Sequence, residues 1–195
     1  MRRSCVPRAV LDACVLYPSV MREMLIGAAG AGLFRPLWSA RLLEEWARAA
    51  ARHGALEEAQ ARGEIALLRA GWPGAEVAPQ PRLEARLWLP DPADVHVLAS
   101  AVAGSADLVV TLNARDFPRG TLAEEGIGRA DPDGFLLALW QEDSRRVEGV
   151  AERVRAEAAR MDDAPRGIRA LMKKARLPRL SKALAASAAA SGGDI

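Results

Sequence analysis

The stretch LPDPADVHVLASAVAGSADLVVTLNARDFP, residues 89–118, is the part of the chain most informative about its fold. Apolar residues recur at helical spacing over 92–103, and Gly104 marks the end of the predicted helix. An uninterrupted apolar run at 108–112 predicts a buried strand, and a polar loop follows it. A helix, a tight turn, a buried strand and a polar loop in this order are typical of an α/β fold with a parallel sheet.

Acidic residues stand at both ends of this unit. Asp91 precedes Pro92, a pair typical of a helix start in which Asp caps the helix and Pro takes the first helical position. Asp94 lies in the first turn, where the helix dipole favours an anion, and shares a stripe with Leu98. We therefore expect Asp94 to face the packed side of the helix, while Asp116 lies just beyond the strand.

A third carboxylate lies near the N-terminus, where AVLDAC puts Asp12 at the end of another short apolar strand. A charge inside such a run is costly unless it is paired or bound to a metal. The carboxyl ends of parallel strands meet at one edge of a sheet. The sequence therefore predicts that Asp12, Asp94 and Asp116 converge.

The rest of the chain up to residue 143 alternates short apolar strands with helical patterns. Further strands are predicted in FRPLWS (34–39) and AEVA (75–78). Helices are predicted at 19–33, 40–52, 55–71 and 132–141. This alternation predicts the α/β class, with a central parallel sheet and right-handed crossovers.

Charge divides the chain into three predicted parts. Residues 1–143, the predicted α/β domain, carry a net charge of −4, and residues 144–182, a predicted helical hairpin, carry +7. Residues 183–195 are low in complexity and are predicted to be a flexible tail. The basic hairpin fits contact with a polyanion, although a charged helix can also be simply solvated.

Composition excludes several classes of protein. Cys5 and Cys14 are too few for a disulfide framework and lack metal-binding spacing, and His53 and His96 are the only histidines. The longest apolar stretch near the N-terminus, MLIGAAGAGLF, is shorter than the roughly 20 residues of a membrane span. No cleavage pattern of a signal peptide follows the basic start. These features predict a cytoplasmic protein without a structural zinc.

Two neighbouring glutamates compete for a fourth acidic position. The apolar face of the 40–52 helix centres between Leu42 and Trp46. On a helical wheel Glu45 lies at the border of that face, whereas Glu44 lies nearly opposite it. Glu45 is therefore predicted to lean toward the sheet and Glu44 toward solvent.

Together Asp12, Glu45, Asp94 and Asp116 would bring up to four negative charges into one pocket. Such groups cannot all ionise at close range without a cation. Oxygen ligands suit a divalent ion of the magnesium type, which also activates water. Because such an ion neutralises a negatively charged substrate, the pattern points to phosphodiester hydrolysis.

Four stretches of the sequence resemble a known protein family. VLDACVLYPS, WSARLLEEWAR, the 89–118 stretch and DPDGFLLAL resemble PIN-domain nucleases, and more narrowly the VapC-type toxins of toxin–antitoxin modules that carry a C-terminal helical extension. The resemblance implies a three-layer α/β/α sandwich with a C-terminal helical hairpin. It also implies an endoribonuclease dependent on Mg²⁺ or Mn²⁺, with family acidic positions at Asp12, Glu45 and Asp94.

Two positions depart from the family pattern. Cys14 stands where many members have Asn, and Asn113 stands where many have Asp, with Asp116 three residues later. Asn113 can offer a carbonyl oxygen to a metal or to water, and the second metal's occupancy depends on this altered loop. Thr111 matches a polar family position that orients a carboxylate or water.

The expected partners are an RNA substrate, a cognate antitoxin and a second copy of the chain in a homodimer, with no membrane. Phosphate contacts are predicted at five cations: Arg115, Arg169, Lys173, Lys174 and Arg176. Three alternatives remain open. They are a PIN ribonuclease that processes RNA without an antitoxin, a non-catalytic RNA-binding or interaction module, and an aspartyl-phosphate phosphatase built on Asp12. The last would need a second Asp where Cys14 stands.

Overall fold

A computed structural model describes residues 6–161 and 167–191. Its sheet has five strands: β1 (Arg8–Leu11), β2 (Arg35–Ser39), β3 (Glu76–Val77), β4 (Leu108–Val110) and β5 (Gly128–Ala130). The strand order is β3-β2-β1-β4-β5 and every pair is parallel. The three residues Ala9, Val10 and Leu11 are completely buried, as expected for the central strand of a parallel sheet.

Chain order reverses between β1 and β4, because β2 and β3 lie on one side of β1 and β4 and β5 on the other. Ligands of open α/β sheets bind at such a switch point, outside the carboxyl ends of the strands. Asp12 directly follows β1 and Thr111 directly follows β4. The topology therefore brings the ends of the two predicted acidic segments together.

Helices make up most of the remaining described chain. They are α1 (Ala13–Leu16), α2 (Ser19–Gly30), α3 (Ala40–Ala51), α4 (Ala55–Gly71), α5 (Pro81–Arg86), α6 (Val95–Ala103), α7 (Arg119–Glu124), α8 (Pro132–Glu142), α9 (Ser144–Met161), α10 (Ile168–Lys174) and α11 (Pro178–Ser191). A 3₁₀ turn, Pro92–Asp94, leads into α6. None of the described helices is both long and apolar enough to cross a membrane.

The predicted α/β class is confirmed, and the elements agree with a three-layer α/β/α fold that carries extra C-terminal helices. Four short elements were not predicted, and the first is α1, whose four residues are too few to show a helical period. β5 has the sequence GRA, which offers no apolar run. α5 and α7 have six residues each, too few to show a helical period.

The described residues form two compact units, and their boundaries differ from those predicted. The first contains 6–17 and 34–130, with the whole sheet. The second contains 18–33, 131–161 and 167–191, so that α2 and α8 belong with the C-terminal helices rather than with the sheet. Position along the chain did not reveal this grouping, because α2 is separated from α8 by about a hundred residues.

Residues 183–191, which were predicted to form a flexible tail, continue α11; residues 192–195 lie outside the described part. Leu180 and Leu184 of α11 are buried. The buried carboxylate of Asp133, from α8, accepts hydrogen bonds from the amides of Arg179 and Leu180, each at 2.9 Å. A side chain from α8 therefore satisfies free N–H groups in the first turn of α11, a tertiary contact that local sequence does not encode.

Candidate metal centre

Asp12 is held by two side-chain donors, one just after β4 and one in α1. Its Oδ2 accepts the hydroxyl of Thr111 at 2.6 Å and the thiol of Cys14 at 3.0 Å. Its backbone N–H continues the β1–β4 pairing by donating to the Val110 carbonyl at 3.1 Å. Both side-chain donors engage Oδ2, so neither of them occupies Oδ1.

Cys14 connects the two strand ends. Its sulfur accepts the Leu112 N–H at 3.2 Å while the thiol donates to Asp12. Burial, followed by the charge of Asp12, raises the pKa of Cys14 to about 12. The group therefore stays a neutral thiol, able to donate to the carboxylate. The residue that departs from the family pattern still supplies a hydrogen-bond donor at this position.

Asp94 has the most perturbed carboxylate of the site. It ends the 3₁₀ turn and forms the N-cap of α6, a position set by the DPAD sequence. Burial raises its pKa to about 6, and the charges of four other acids, Asp12, Asp91, Asp116 and Glu45, add to the effect. The predicted convergence of Asp12, Glu45, Asp94 and Asp116 is therefore present in the structure.

The closest group of carboxylates comprises Asp91, Asp94 and Asp116. One oxygen from each lies within 4.8 Å of the other two, a spacing that a single cation can bridge. Asp91 also performs its predicted capping role, because Oδ1 accepts the Ala93 N–H at 2.8 Å. Its membership of the acidic group was not predicted. The spacing Asp-x-x-Asp in one tight turn is the feature that would have indicated it.

The loop after β4 holds the altered family position. The side-chain amide nitrogen of Asn113 donates to Oδ2 of Asp116 and lies 3.5 Å from Oδ2 of Asp94. The nitrogen, rather than the expected carbonyl oxygen, thus faces the acids, because only a donor can satisfy two carboxylates. The Arg129 guanidinium donates to the carbonyls of Ala114 and Phe117 and anchors this loop.

Glu45 leans toward α6, in line with the helical wheel, whereas Glu44, predicted to face solvent, is half-buried and contacts α4. Oε1 of Glu45 lies 2.9 Å from Nε2 of the buried His96 on α6 and 3.4 Å from Nε of Arg41. Glu44 instead pairs with Arg62 of α4 at 3.0 Å, and hydrogen bonding by Arg62 lowers the pKa of Glu44. His96 was not predicted to lie here. Within the described residues, neither of its ring nitrogens makes a well-directed hydrogen bond.

The predicted phosphate-binding cations are all exposed. Arg115 stands beside Asp116 in the anchored loop of the first unit. The other four belong to α10 and the residues just after it, in the second unit: Arg169, Lys173, Lys174 and Arg176. Among the residues that the structure describes, none of the four pairs with an acidic side chain.

This donor set fits a hard divalent cation. Carboxylates dominate, and the raised pKa of Asp94 shows that the described part of the site lacks enough positive charge to compensate them. Asp91, Asp94 and Asp116 would hold the ion directly, with Asp12 contributing from the end of β1. An acidic group of this kind, at the switch point of a parallel sheet, is compatible with the binding of a divalent metal ion.

The model of the PIN domain family matches residues 8–115, more than half of the chain, and the protein belongs to this family. The match spans the segments that carry Asp12, Glu45, Asp91 and Asp94, and it ends one residue before Asp116. PIN domains are generally metal-dependent nucleases, and the acidic group is compatible with metal binding. No curated protein and no solved structure gives a match.

Proposed function

We propose that the protein is a Mg²⁺- or Mn²⁺-dependent endoribonuclease that acts in the cytoplasm as the toxin of a toxin–antitoxin pair. The observation that carries the nuclease proposal is the convergence on Asp94 of carboxylates from four separate chain segments, which include the ends of β1 and β4. These acids lie within the stretch that matches the family, residues 8–115, or immediately after it. The proposed catalytic set is Asp12, Glu45, Asp94 and Asp116.

A divalent ion at this centre would activate the attacking water and neutralise charge that develops on the phosphate. The chain's own residues supply position and charge. Thr111 and Cys14 orient Asp12 through its Oδ2. Asn113 holds Asp116 beside Asp94. Arg115, exposed next to Asp116, is placed to contact a phosphate of the substrate backbone.

The first experiment measures RNA cleavage by the purified chain with Mg²⁺ or Mn²⁺, and again after chelation. Cleavage that disappears on chelation and in Asp94→Asn supports the nuclease proposal. The Glu44→Gln variant is the matched control, because Glu44 pairs with Arg62 away from the acids and should leave the rate unchanged. Binding of RNA without metal-dependent cleavage would instead support a non-catalytic module.

The toxin role rests on the VapC-like motifs and on the basic extension, and it needs a separate test. Induced expression of the chain in a bacterial host should arrest growth, Asp94→Asn should not, and co-expression of a cognate antitoxin should restore growth. Cleavage in vitro without growth arrest would favour an RNA-processing enzyme that has no antitoxin. Neutralising the four exposed cations of α10 and its end should weaken complex formation with RNA or with the antitoxin.

A further inference from the structure

The segment between α5 and the 3₁₀ turn, residues 87–90, is held at both ends. Arg86, immediately before it, makes a two-pronged pair with Glu125, with contacts of 2.8 and 2.7 Å. Asp91, immediately after it, caps the 3₁₀ turn. Leu89 within the segment is buried. The segment is therefore anchored by charge pairing, capping and burial.

This anchored segment nevertheless presents a tryptophan to solvent. Leu87 has extended backbone, Leu89 points into the core, and Trp88 between them is 66% exposed. The chain's other tryptophans, Trp38, Trp46, Trp72 and Trp140, are buried or half-buried. Exposing the largest apolar side chain forgoes the burial that normally stabilises it. Tryptophan is enriched at binding surfaces, because its indole combines a large apolar face with a polar N–H group.

Trp88 also lies close to the acidic centre along the chain. Trp88 precedes Asp91 by three positions, so the two Cα atoms are at most about 11 Å apart. One oxygen of Asp91 is within 4.8 Å of oxygens of Asp94 and Asp116. An exposed aromatic face this close to a centre that cleaves a phosphodiester can stack on a base of the RNA strand that is cleaved.

We propose that Trp88 is a stacking platform for an unpaired base next to the phosphate that is cleaved. Aromatic side chains bind single strands in this way because every base has a flat π face, whereas bases within a duplex are already stacked on their neighbours. The inference rests on the proposed nuclease function and adds a residue that binds a base of the substrate.

RNA binding is measured in a buffer that contains a metal chelator, so that no cleavage occurs. The probes are a mixed-sequence single-stranded RNA and a duplex of the same sequence. The single strand should quench tryptophan emission of the wild type, and this quenching should disappear in Trp88→Phe. Trp88→Phe should retain most of the affinity because it retains an aromatic face. Trp88→Ala should bind the single strand about 5- to 150-fold more weakly. Leu67→Ala, which changes another strongly exposed apolar residue, is the control and should bind normally.

Three results would overturn the proposal: unchanged single-strand affinity in Trp88→Ala, equal weakening for single strand and duplex, or an altered oligomeric state with unaltered RNA binding. The last would assign Trp88 to a protein contact.

Cleavage with Mn²⁺ is measured in parallel to separate the two proposals. If the wild type cleaves RNA and Trp88→Ala binds RNA normally, the stacking role of Trp88 is refuted but the nuclease proposal is not. Trp88-dependent binding without any wild-type cleavage refutes the nuclease alone, and the absence of both binding and cleavage refutes both.

Discussion

Two acidic clusters in this protein have opposite electrostatic environments. In the second unit Asp131 and Asp133 accept hydrogen bonds from helix N–H groups and pair with Arg179. Burial acts to raise the pKa of Asp131, but the Gly134 amide and Arg179 lower it overall. In the first unit burial and neighbouring acids instead raise the pKa of Asp94 to about 6. The fold neutralises one cluster, whereas in the other, among the described residues, Asp94 pairs with no basic side chain, which is compatible with a metal site.

The largest expected effect is that of Asp94→Asn on cleavage. The substitution keeps the shape of the side chain but removes the charge at the centre of the acidic group. We expect metal-dependent RNA cleavage to fall by more than the roughly 10- to 100-fold typical of a residue that only orients a metal ligand. Thermal unfolding without metal should show an intact fold. Cleavage at the wild-type rate would rule out the assignment of Asp94 to the catalytic centre.

The matched change in the other cluster should affect stability alone. Asp133→Ala removes the buried acceptor for two amides at the start of α11 and for the Arg179 side chain. From the usual cost of lost helix caps and of lost hydrogen bonds to a charged group, the unfolding free energy should fall by roughly 2–4 kcal/mol. Denaturant unfolding gives this value. If Asp133→Ala lowers metal affinity as strongly as Asp94→Asn does, the two clusters do not have distinct roles.

The sequence predicted the positions of the acidic residues better than it predicted the residues that contact and hold them. The reason is physical. The DPAD turn and the apolar runs before Asp12 and Thr111 are local patterns, and local patterns determine strand ends and helix starts. The contacts of His96 with Glu45 and of Cys14 with Leu112 join residues 51 and 98 positions apart. The docking of α11 on Asp133 is equally remote in sequence. Such contacts depend on the packed fold, which periodicity does not reveal.

A smaller effect is expected at Cys14, which tests whether hydrogen bonding prepares Asp12 for a metal. Cys14→Ala removes the donor to Asp12, and we expect Mn²⁺ affinity to fall by about 10- to 100-fold. Cys14→Ser keeps a donor and should remain close to wild type. Calorimetric titration of Mn²⁺ into both variants measures the difference. Equal affinity of Cys14→Ala and wild type would show that Thr111 alone suffices.

The pH dependence of stability should show the smallest effect, and its sign follows from Asp94. In the folded protein the pKa of Asp94 is about 6, above the ordinary value of 3.8, so the folded state holds this proton to higher pH than the unfolded chain does. Without metal, the stability of wild type relative to Asp94→Asn should therefore fall as pH rises from about 4 to about 6, and then level off. Parallel denaturant titrations test this. A relative stability that rises over this interval would show that a cation within the protein already stabilises the Asp94 carboxylate.

The most direct test of the central claim is the effect of Mn²⁺ on thermal unfolding at pH 7, compared between wild type and Asp94→Asn. If the acids around Asp94 form a metal site, Mn²⁺ should raise the unfolding temperature of wild type in a saturable way, because it binds only the folded state. The shift should be strongly reduced in Asp94→Asn and retained in Glu44→Gln. No shift in wild type, or the same shift in Asp94→Asn, would contradict the claim that this cluster is where the protein binds a metal.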